Sequence, residues 1–196
     1  RQLTGSLCAK ARWIPGNHDN LPHMREAAVQ SRLLDPVVDL GNWRITLLHS
    51  NVEQKSQGYL QDSQLQLLAQ SLSEAPDRHH LICLHHHPVP VGCEWIEPIG
   101  LCNAGEFWKV IDRYPQVRGV LWGHVHQAFD QQRNGVRLLA SPSTCIQFAP
   151  GSADFKVSSE APGYRWLRLQ PDGTLQTGVS RVTDFVFEPD YSANNY

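Results

Sequence analysis

Residues 121–126 read Leu-Trp-Gly-His-Val-His. Two apolar residues run into a glycine, and two histidines then flank a single valine. If Val120–Trp122 is a strand, its side chains alternate, and His124 and His126 project to one side just past its end. Gly123 leaves the backbone free to turn there without a Cβ clash. Two imidazoles on one side of a strand end suit a transition metal. Histidine pairs are also common on surfaces, so the motif alone does not decide. Its placement carries more weight, because two other clusters share it.

Upstream, His80–Leu84 is a short apolar strand that ends in His85-His86-His87-Pro88. Three successive histidines at a strand end do not read as packing residues, whereas His79 and His80 at its start read as solvated. Ala11-Arg-Trp-Ile14 reads as another short buried strand. It ends in Pro15-Gly16-Asn17-His18-Asp19-Asn20, where Pro and Gly mark a turn. Polar residues at that point fall where strand ends carry ligand sites in α/β sheets. The plain alternative is a turn in which Asn20 caps the next helix, with Pro22 at its first position. That helix is expected from Leu21 to about Leu33.

Between these clusters, Trp43–His49 reads as a strand. Asp62 is the expected N-cap of a helix over Ser63–Ser73, with an apolar stripe of Leu65, Leu68 and Leu72. Val89–Leu101 has two prolines, two glycines and no periodicity. It is a long loop of the kind that is often functional, expected to line a substrate pocket together with Asn103. Asn103-Ala-Gly-Glu106 resembles a capping box for a helix ending at Tyr114. Arg1–Leu7 reads as the tail of a helix. Strands therefore alternate with helices, and a polar cluster follows three of the strands, which predicts an α/β layered domain. After His126 the pattern changes. Ala128–Arg133 and Val136–Ala140 flank Asn134-Gly135, a hairpin signal. Gly163–Gln170 and Thr174–Val182 flank Pro171-Asp172-Gly173, a second turn between strands. These late strands predict a second sheet packed on the first, and the polar tail from Phe187 is expected to order only by docking.

Length and composition bound the function. The 196 residues fit one domain, 1–196, and 41% hydrophobic with 9% aromatic content is that of a globular chain. A net charge of −2 leaves no broad basic surface for a nucleic-acid polymer. An anionic substrate must then be attracted locally, by a metal or by histidines. No apolar run approaches the roughly 18 residues of a membrane span. The five cysteines, Cys8, Cys83, Cys93, Cys102 and Cys145, are odd in number and form no C-x-x-C. They read as reduced thiols in a cytoplasmic protein. The chain begins at Arg1, which reads as a fragment or a processed chain.

Of the ten histidines, six lie in the three clusters. Imidazoles with one asparagine amide suit Mn, Fe or Zn, which accept nitrogen and oxygen ligands. Carboxylates are scarce, with Asp19 alone in a comparable context, although a two-metal centre normally needs a bridging Asp.

Gly16-Asn-His-Asp19, the His85-His-His-Pro88 run and Gly123-His-Val-His126 together resemble the later motifs of the calcineurin-like metallophosphoesterases. Leu84-His-His-His-Pro-Val-Pro90, Asn103-Ala-Gly-Glu106, Gly123-His-Val-His-Gln127 and Ser141-Pro-Ser-Thr-Cys145 are similar to the bacterial class III cyclic AMP phosphodiesterases. The resemblance covers nearly the whole chain. It implies a metallophosphoesterase-like β-sandwich flanked by helices, around two metals bridged by an Asp and a hydroxide. By that resemblance Asn17, His85 and His124 bind one metal, His126 helps bind the other, and Asn17, His18 and His126 contact the substrate. His85 is preferred over His86 and His87 because it directly follows the strand. His18 is implied as the catalytic group beside the phosphate, steadying charge or protonating the leaving oxygen. The implied reaction is hydrolysis of 3′,5′-cyclic AMP to AMP by hydroxide, since a metal lowers the pKa of bound water from roughly 15.7 to about 7. Fe or Mn is the expected metal, with Zn as an alternative, and a homodimer is among the expected assemblies. Glycerophosphodiesters or 2′,3′-cyclic nucleotides are alternative substrates, and an inactive metal- or nucleotide-binding fragment is the non-enzymatic rival.

This sequence departs from the family at two points. It lacks the family's Asp-x-His and Gly-Asp motifs upstream of Asn17, so an N-terminal segment of the domain is expected to be missing and residues 1–196 alone to bind one metal at most without useful turnover. His49 stands where Leu-Asp-Ser is expected at residues 48–50.

Overall fold

The computed structural model describes residues 10–184 together with Glu188. The expected helical tail Arg1–Leu7 and the polar stretch from Phe187, Glu188 apart, lie outside the described residues. Six strands form the main sheet: β1 (Val37–Leu40), β2 (Trp43–Leu47), β3 (His79–Cys83), β4 (Val117–Trp122), β5 (Asp130–Arg133) and β6 (Val136–Ala140). Their order is β1-β2-β3-β4-β6-β5. The middle four run parallel, and β1 and β5 are antiparallel at the edges.

Parallel strands joined by helices are covered on both faces, so their side chains are apolar in both directions. The period of two separates the faces. Ile82, Val120, Trp122, Leu138 and Ala140 share one buried cluster with Leu68 and Leu72 of α2 (Asp62–Ser73) and Phe107 and Ile111 of α3 (Ala104–Ile111). Leu81, Cys83 and Leu139 point the other way, into a cluster with Trp43 and Leu175. That face is covered by the hairpin of β9 (Gly163–Leu169) and β10 (Leu175–Arg181), whose Leu167 and Leu169 pack on it. The hairpin's turn is anchored by Trp43 Nε1, which donates to Gln170 O at 2.6 Å, and by Asn42 Nδ2, which donates to Pro171 O at 3.0 Å. A short ribbon of β7 (Gln147–Phe148) and β8 (Val157–Ser158) precedes the hairpin. The α/β layering is as expected, but the expectation that both late hairpins build the second sheet is corrected: β9 and β10 form it, whereas the Asn134-Gly135 hairpin of β5 and β6 extends the main sheet, β6 pairing in parallel with β4.

Several local expectations are corrected. Ala11–Ile14 is not a strand. The place beside β2 is taken by β1, which closes onto it through Gly41 at φ +54°, and Trp13 instead donates its N–H to Leu33 O at 2.7 Å. Helix α1 (Leu21–Ala27) stops well before Leu33, because Gln30 takes a left-handed φ of 56°. Asn20 caps it as expected, Oδ1 accepting from His23 N–H at 3.0 Å. Asp62 lies in the first turn of α2, where its charge suits the helix dipole, and Gln61 occupies the cap position. α3 ends at Ile111, not Tyr114. His80 is not solvated. It is buried, and its Nε2–H donates to Ala75 O at 2.9 Å.

Candidate metal centre and active site

The carboxyl ends of the parallel strands carry the histidines, the edge at which open α/β sheets bind ligands. β3 leads through Leu84 into His85, and β4 leads through Gly123 into His124, with Gly123 N–H donating to His85 O at 3.2 Å. The turn Gly16–Asp19 brings Asn17 to the same point. It is closed by Asp19 N–H on Gly16 O at 3.1 Å and by Asp19 Oδ2, which accepts Gly16 N–H at 2.7 Å. Asn51 Nδ2 also donates to Gly16 O. Asn17 Oδ1 then lies 2.9 Å from His85 Nε2 and 3.3 Å from His124 Nδ1.

The three histidines of the run go to different neighbours. Ring nitrogens of His85, His86 and His124 lie within 4.8 Å of one another. Those of His86, however, are already engaged. Nε2–H donates to Ser56 O at 3.1 Å, which leaves Nδ1 to accept from Ser50 Oγ–H at 2.9 Å. His87 stacks on His124, with centroids 5.7 Å apart and planes at 16°. Each ring rests on a glycine backbone. A Cβ at Gly16 would stand 2.7 Å from the His85 ring, one at Gly100 2.6 Å from the His87 ring, and one at Gly58 would overlap the His86 ring. Close approach, more than turning, is what these glycines supply.

Gly123 does not take the expected turn. The left-handed residues are His124 at φ 59° and His126 at φ 48°, while Gly123 has no φ in that region. Such backbone costs of order 1–3 kcal/mol per residue and persists only where the surroundings over-determine it. His126 is held by Phe148, whose ring lies flat on it at 4.4 Å and 7°, and whose N–H donates to His126 O at 3.3 Å. His126 stands outside the donor group of His85, His86 and His124.

A family profile for calcineurin-like phosphoesterase matches residues 2–128. The chain belongs to the calcineurin-like phosphoesterases. Among curated relatives, it is 53% identical over 196 residues to the 3′,5′-cyclic adenosine monophosphate phosphodiesterase CpdA of Pseudomonas aeruginosa, spanning 100% of this chain and 72% of that protein. It is 45% identical over 194 residues to the CpdA phosphodiesterase of Escherichia coli K12, spanning 97% of this chain and 70% of that protein. Among solved structures, a dimetal phosphatase from Danio rerio superposes with a TM-score of 0.57 at 17% identity, over 87% of this chain and 69% of that one, which shows the shared fold.

Calcineurin-like phosphoesterases use dinuclear metal centres. The donors present fit one such ion. An amide oxygen faces two imidazole nitrogens, and burial keeps those imidazoles neutral, the form that ligates. Burial, helped by the charges of His86, His126, His18 and His87, pushes His85 down to about 3. Burial likewise pulls His124 far below the usual range. His86 and His87 are pushed to about 4, each mainly by burial, and so is His126, against a bond to Ile146 that favours its cation. The contact between His87 Nε2 and Glu97 Oε2 at 3.7 Å is therefore the approach of a neutral ring to a carboxylate and not an ion pair. Among the described residues no carboxylate joins the donor group. Asp19, the first candidate for a bridging carboxylate, spends an oxygen closing its own turn.

His18 is exposed and opens on a recess of about 490 Å³ lined by Asn17, Arg25, His49 and Asn51 among others. His49 is half-buried and also borders a second recess of about 400 Å³ with Trp13 and Leu67. Its Nε2 is buried without a hydrogen-bond partner among the described residues, and its backbone N–H donates to Gln64 Oε1 at 2.8 Å. The expectation that Asn103 lines a substrate pocket is corrected. Its amide is buried and spent on Leu60, accepting from N–H at 2.9 Å and donating to C=O at 2.8 Å, so it ties α3 to the chain before α2. None of residues 89–101 lines the recess beside His18. Sequence reasoning missed the roles of Ser50, Phe148, Gly58 and Gly100. Each acts through a contact between distant segments and carries no motif of its own.

Proposed function

We propose that this chain carries the metal-binding and catalytic edge of a phosphodiesterase that hydrolyses 3′,5′-cyclic AMP to AMP. The observation behind the substrate is the 53% identity, across all 196 residues, to a curated 3′,5′-cyclic AMP phosphodiesterase. The observation behind the metal is the meeting of Asn17 Oδ1 with His85 Nε2 and His124 Nδ1. Manganese or iron suits this donor set.

The ion, when bound, supplies Lewis acidity toward the phosphoryl oxygen and hydroxide at neutral pH. Asn17, His85 and His124 would hold it through neutral donors, which leave it more electrophilic than carboxylates in their place would. His85 serves in preference to His86, whose two ring nitrogens are taken by Ser50 and Ser56. His126, seated on Phe148, helps hold the second ion and contacts the phosphate. In the reaction the oxygen of one water bonds to phosphorus as one P–O ester bond of the cyclic diester breaks, and the ribose oxygen so released takes up a proton. His18, next to Asn17 and exposed toward the recess, is placed to steady the phosphate and to give that proton. Residues 1–196 are read as one domain, because the same sheet backs both apolar clusters. The free thiols of Cys83, Cys93, Cys102 and Cys145 support a cytoplasmic setting.

The test uses the protein made from the complete reading frame that contains residues 1–196, loaded with manganese or iron. It should convert 3′,5′-cyclic AMP to AMP, with a higher kcat/KM than for 2′,3′-cyclic AMP or a glycerophosphodiester. Cleavage of those diesters without turnover of 3′,5′-cyclic AMP would sink the substrate assignment. Elemental analysis of residues 1–196 alone should find about one ion per chain, since their converging donors suffice for one.

A further inference from the structure

The Val89–Leu101 loop lines no recess beside His18, yet it packs behind both histidines of Gly123-His-Val-His126. One carboxylate sets its shape. Glu97 Oε1 accepts the N–H groups of Val91 and Gly92 at 2.8 Å each and that of Cys93 at 3.3 Å. Three donors on one charged oxygen fix the chain around it. Glu97 also opens the 3₁₀ turn Glu97–Ile99, and so directs the chain that follows. Gly100 there lies on the His87 ring, and Leu101 donates its N–H to His87 O at 3.0 Å. His87 in turn stacks on His124. At the loop's other end Trp95 meets Phe148 edge-on at 5.0 Å and 81°, and Phe148 lies flat on His126. Each left-handed histidine is thus backed by a ring that this loop holds in place.

A metal-ligating histidine is usually oriented by a hydrogen bond to its second ring nitrogen. Among the described residues His124 has none, because its Nε2 is buried there without a hydrogen-bond partner. Packing must orient the ring instead. We propose that Glu97 is a positioning residue of the active site. By shaping the loop it holds His87 against His124 and Trp95 against Phe148, and so keeps His124 in the attitude that receives the ion and His126 on its Phe148 seat. This rests on His124 being a metal ligand, as proposed above.

The experiment titrates the metal-free protein of the complete reading frame with manganese alone by calorimetry. It also measures kcat and KM for 3′,5′-cyclic AMP in the loaded protein and follows folding by circular dichroism. Glu97→Ala should bind manganese about 10-fold or more weakly and lose kcat by a similar factor, the usual cost of removing an outer support of a ligand. KM should change less than kcat. Glu97→Gln should recover both, since its amide oxygen can accept the same three N–H groups. Gly100→Ala, which presses a methyl group onto His87, should weaken manganese binding in the same direction. A folded Glu97→Ala with wild-type affinity and kcat overturns the proposal. If Glu97→Ala fails to fold, Gly100→Ala decides, and unchanged affinity there overturns it. A wild-type protein that binds no manganese refutes the metal reading itself and this proposal with it, a result distinct from either variant's failure.

Discussion

Strand β3 carries histidines at both ends, and the two ends behave differently. At its start, His80 is buried and gives its Nε2–H to a backbone carbonyl, Ala75 O, while His79 rests tilted on Trp43 at 5.4 Å. At its far end, His85 Nε2 faces the side-chain oxygen of Asn17, with a second imidazole 3.3 Å from the same atom. Burial depresses the basicity of His80 and His85 alike. What separates them is the partner. A carbonyl already committed to the fold satisfies one imidazole and ends the matter. A free amide oxygen beside another imidazole leaves lone pairs converging on one point.

The largest expected effect tests that distinction directly. His85→Ala should abolish stoichiometric manganese binding and lower 3′,5′-cyclic AMP hydrolysis by more than the roughly 100-fold that outer contacts cost. His80→Gln should leave metal content unchanged. Metal loss in the His80 variant would erase the contrast between the two ends. Next in size is His18→Ala, which should keep its metal and lose about 10²–10⁴ in kcat, the worth of a positioned acid. If the metal departs together with activity, His18 is a ligand.

Acid tests the buried start of the strand by itself. His80 has its pKa lowered from 6.5 by burial. Below that value the unfolded chain takes up a proton that the folded chain refuses, so His80's contribution to stability is present above pH 6.5 and lost as pH falls toward the folded value. Denaturant unfolding of the metal-free protein should therefore show the stability advantage of wild type over His80→Gln shrinking between pH 7 and pH 5. An advantage that grew on acidification would contradict the burial assignment. The smallest effects lie in the glycines. Gly58→Ala forces a methyl group into the His86 ring and should cost about 1–3 kcal/mol in unfolding free energy. Gly123→Ala meets His85 Nδ1 only at 3.5 Å, an ordinary contact, and should cost less than about 1 kcal/mol.

Much of this architecture was legible where local chemistry and tertiary structure agree. Asn134-Gly135, at φ 49° and 82°, and the Gly173 turn gave both hairpins because their backbone demands are local. The leucine stripe gave α2 for the same reason. β1 was missed because four residues, one of them Asp39, offer no readable period. Ala11–Ile14 was misread because an apolar tetrapeptide carries no record of whether a neighbouring strand exists to pair with it. His80 was misread as solvated because residue type was allowed to outweigh an apolar strand. Residue type and placement singled out the three clusters, the family resemblance named Asn17, His85 and His124 within them, and the side chains of these three meet. The exclusion of His86 could not be read that way, because it depends on Ser50 and Ser56, 36 and 30 residues away in sequence and joined to it only by the fold.

The separations within the donor set have a further consequence. Asn17 is 68 residues from His85 and 107 from His124, whereas His85, His86 and His87 are adjacent. In the denatured ensemble, joining Asn17 to the histidines means closing long loops at an entropic cost, but the triple-histidine run remains intact and offers neighbouring imidazoles to any ion present. An ion held by Asn17, His85 and His124 as proposed would thus be a ligand of the denatured chain as well as of the native one. Binding to both states diminishes the protection that mass action would otherwise give. Added manganese should therefore raise the thermal midpoint by less than its native-state affinity dictates, and excess ion during refolding should slow recovery by occupying the run before Asn17 arrives.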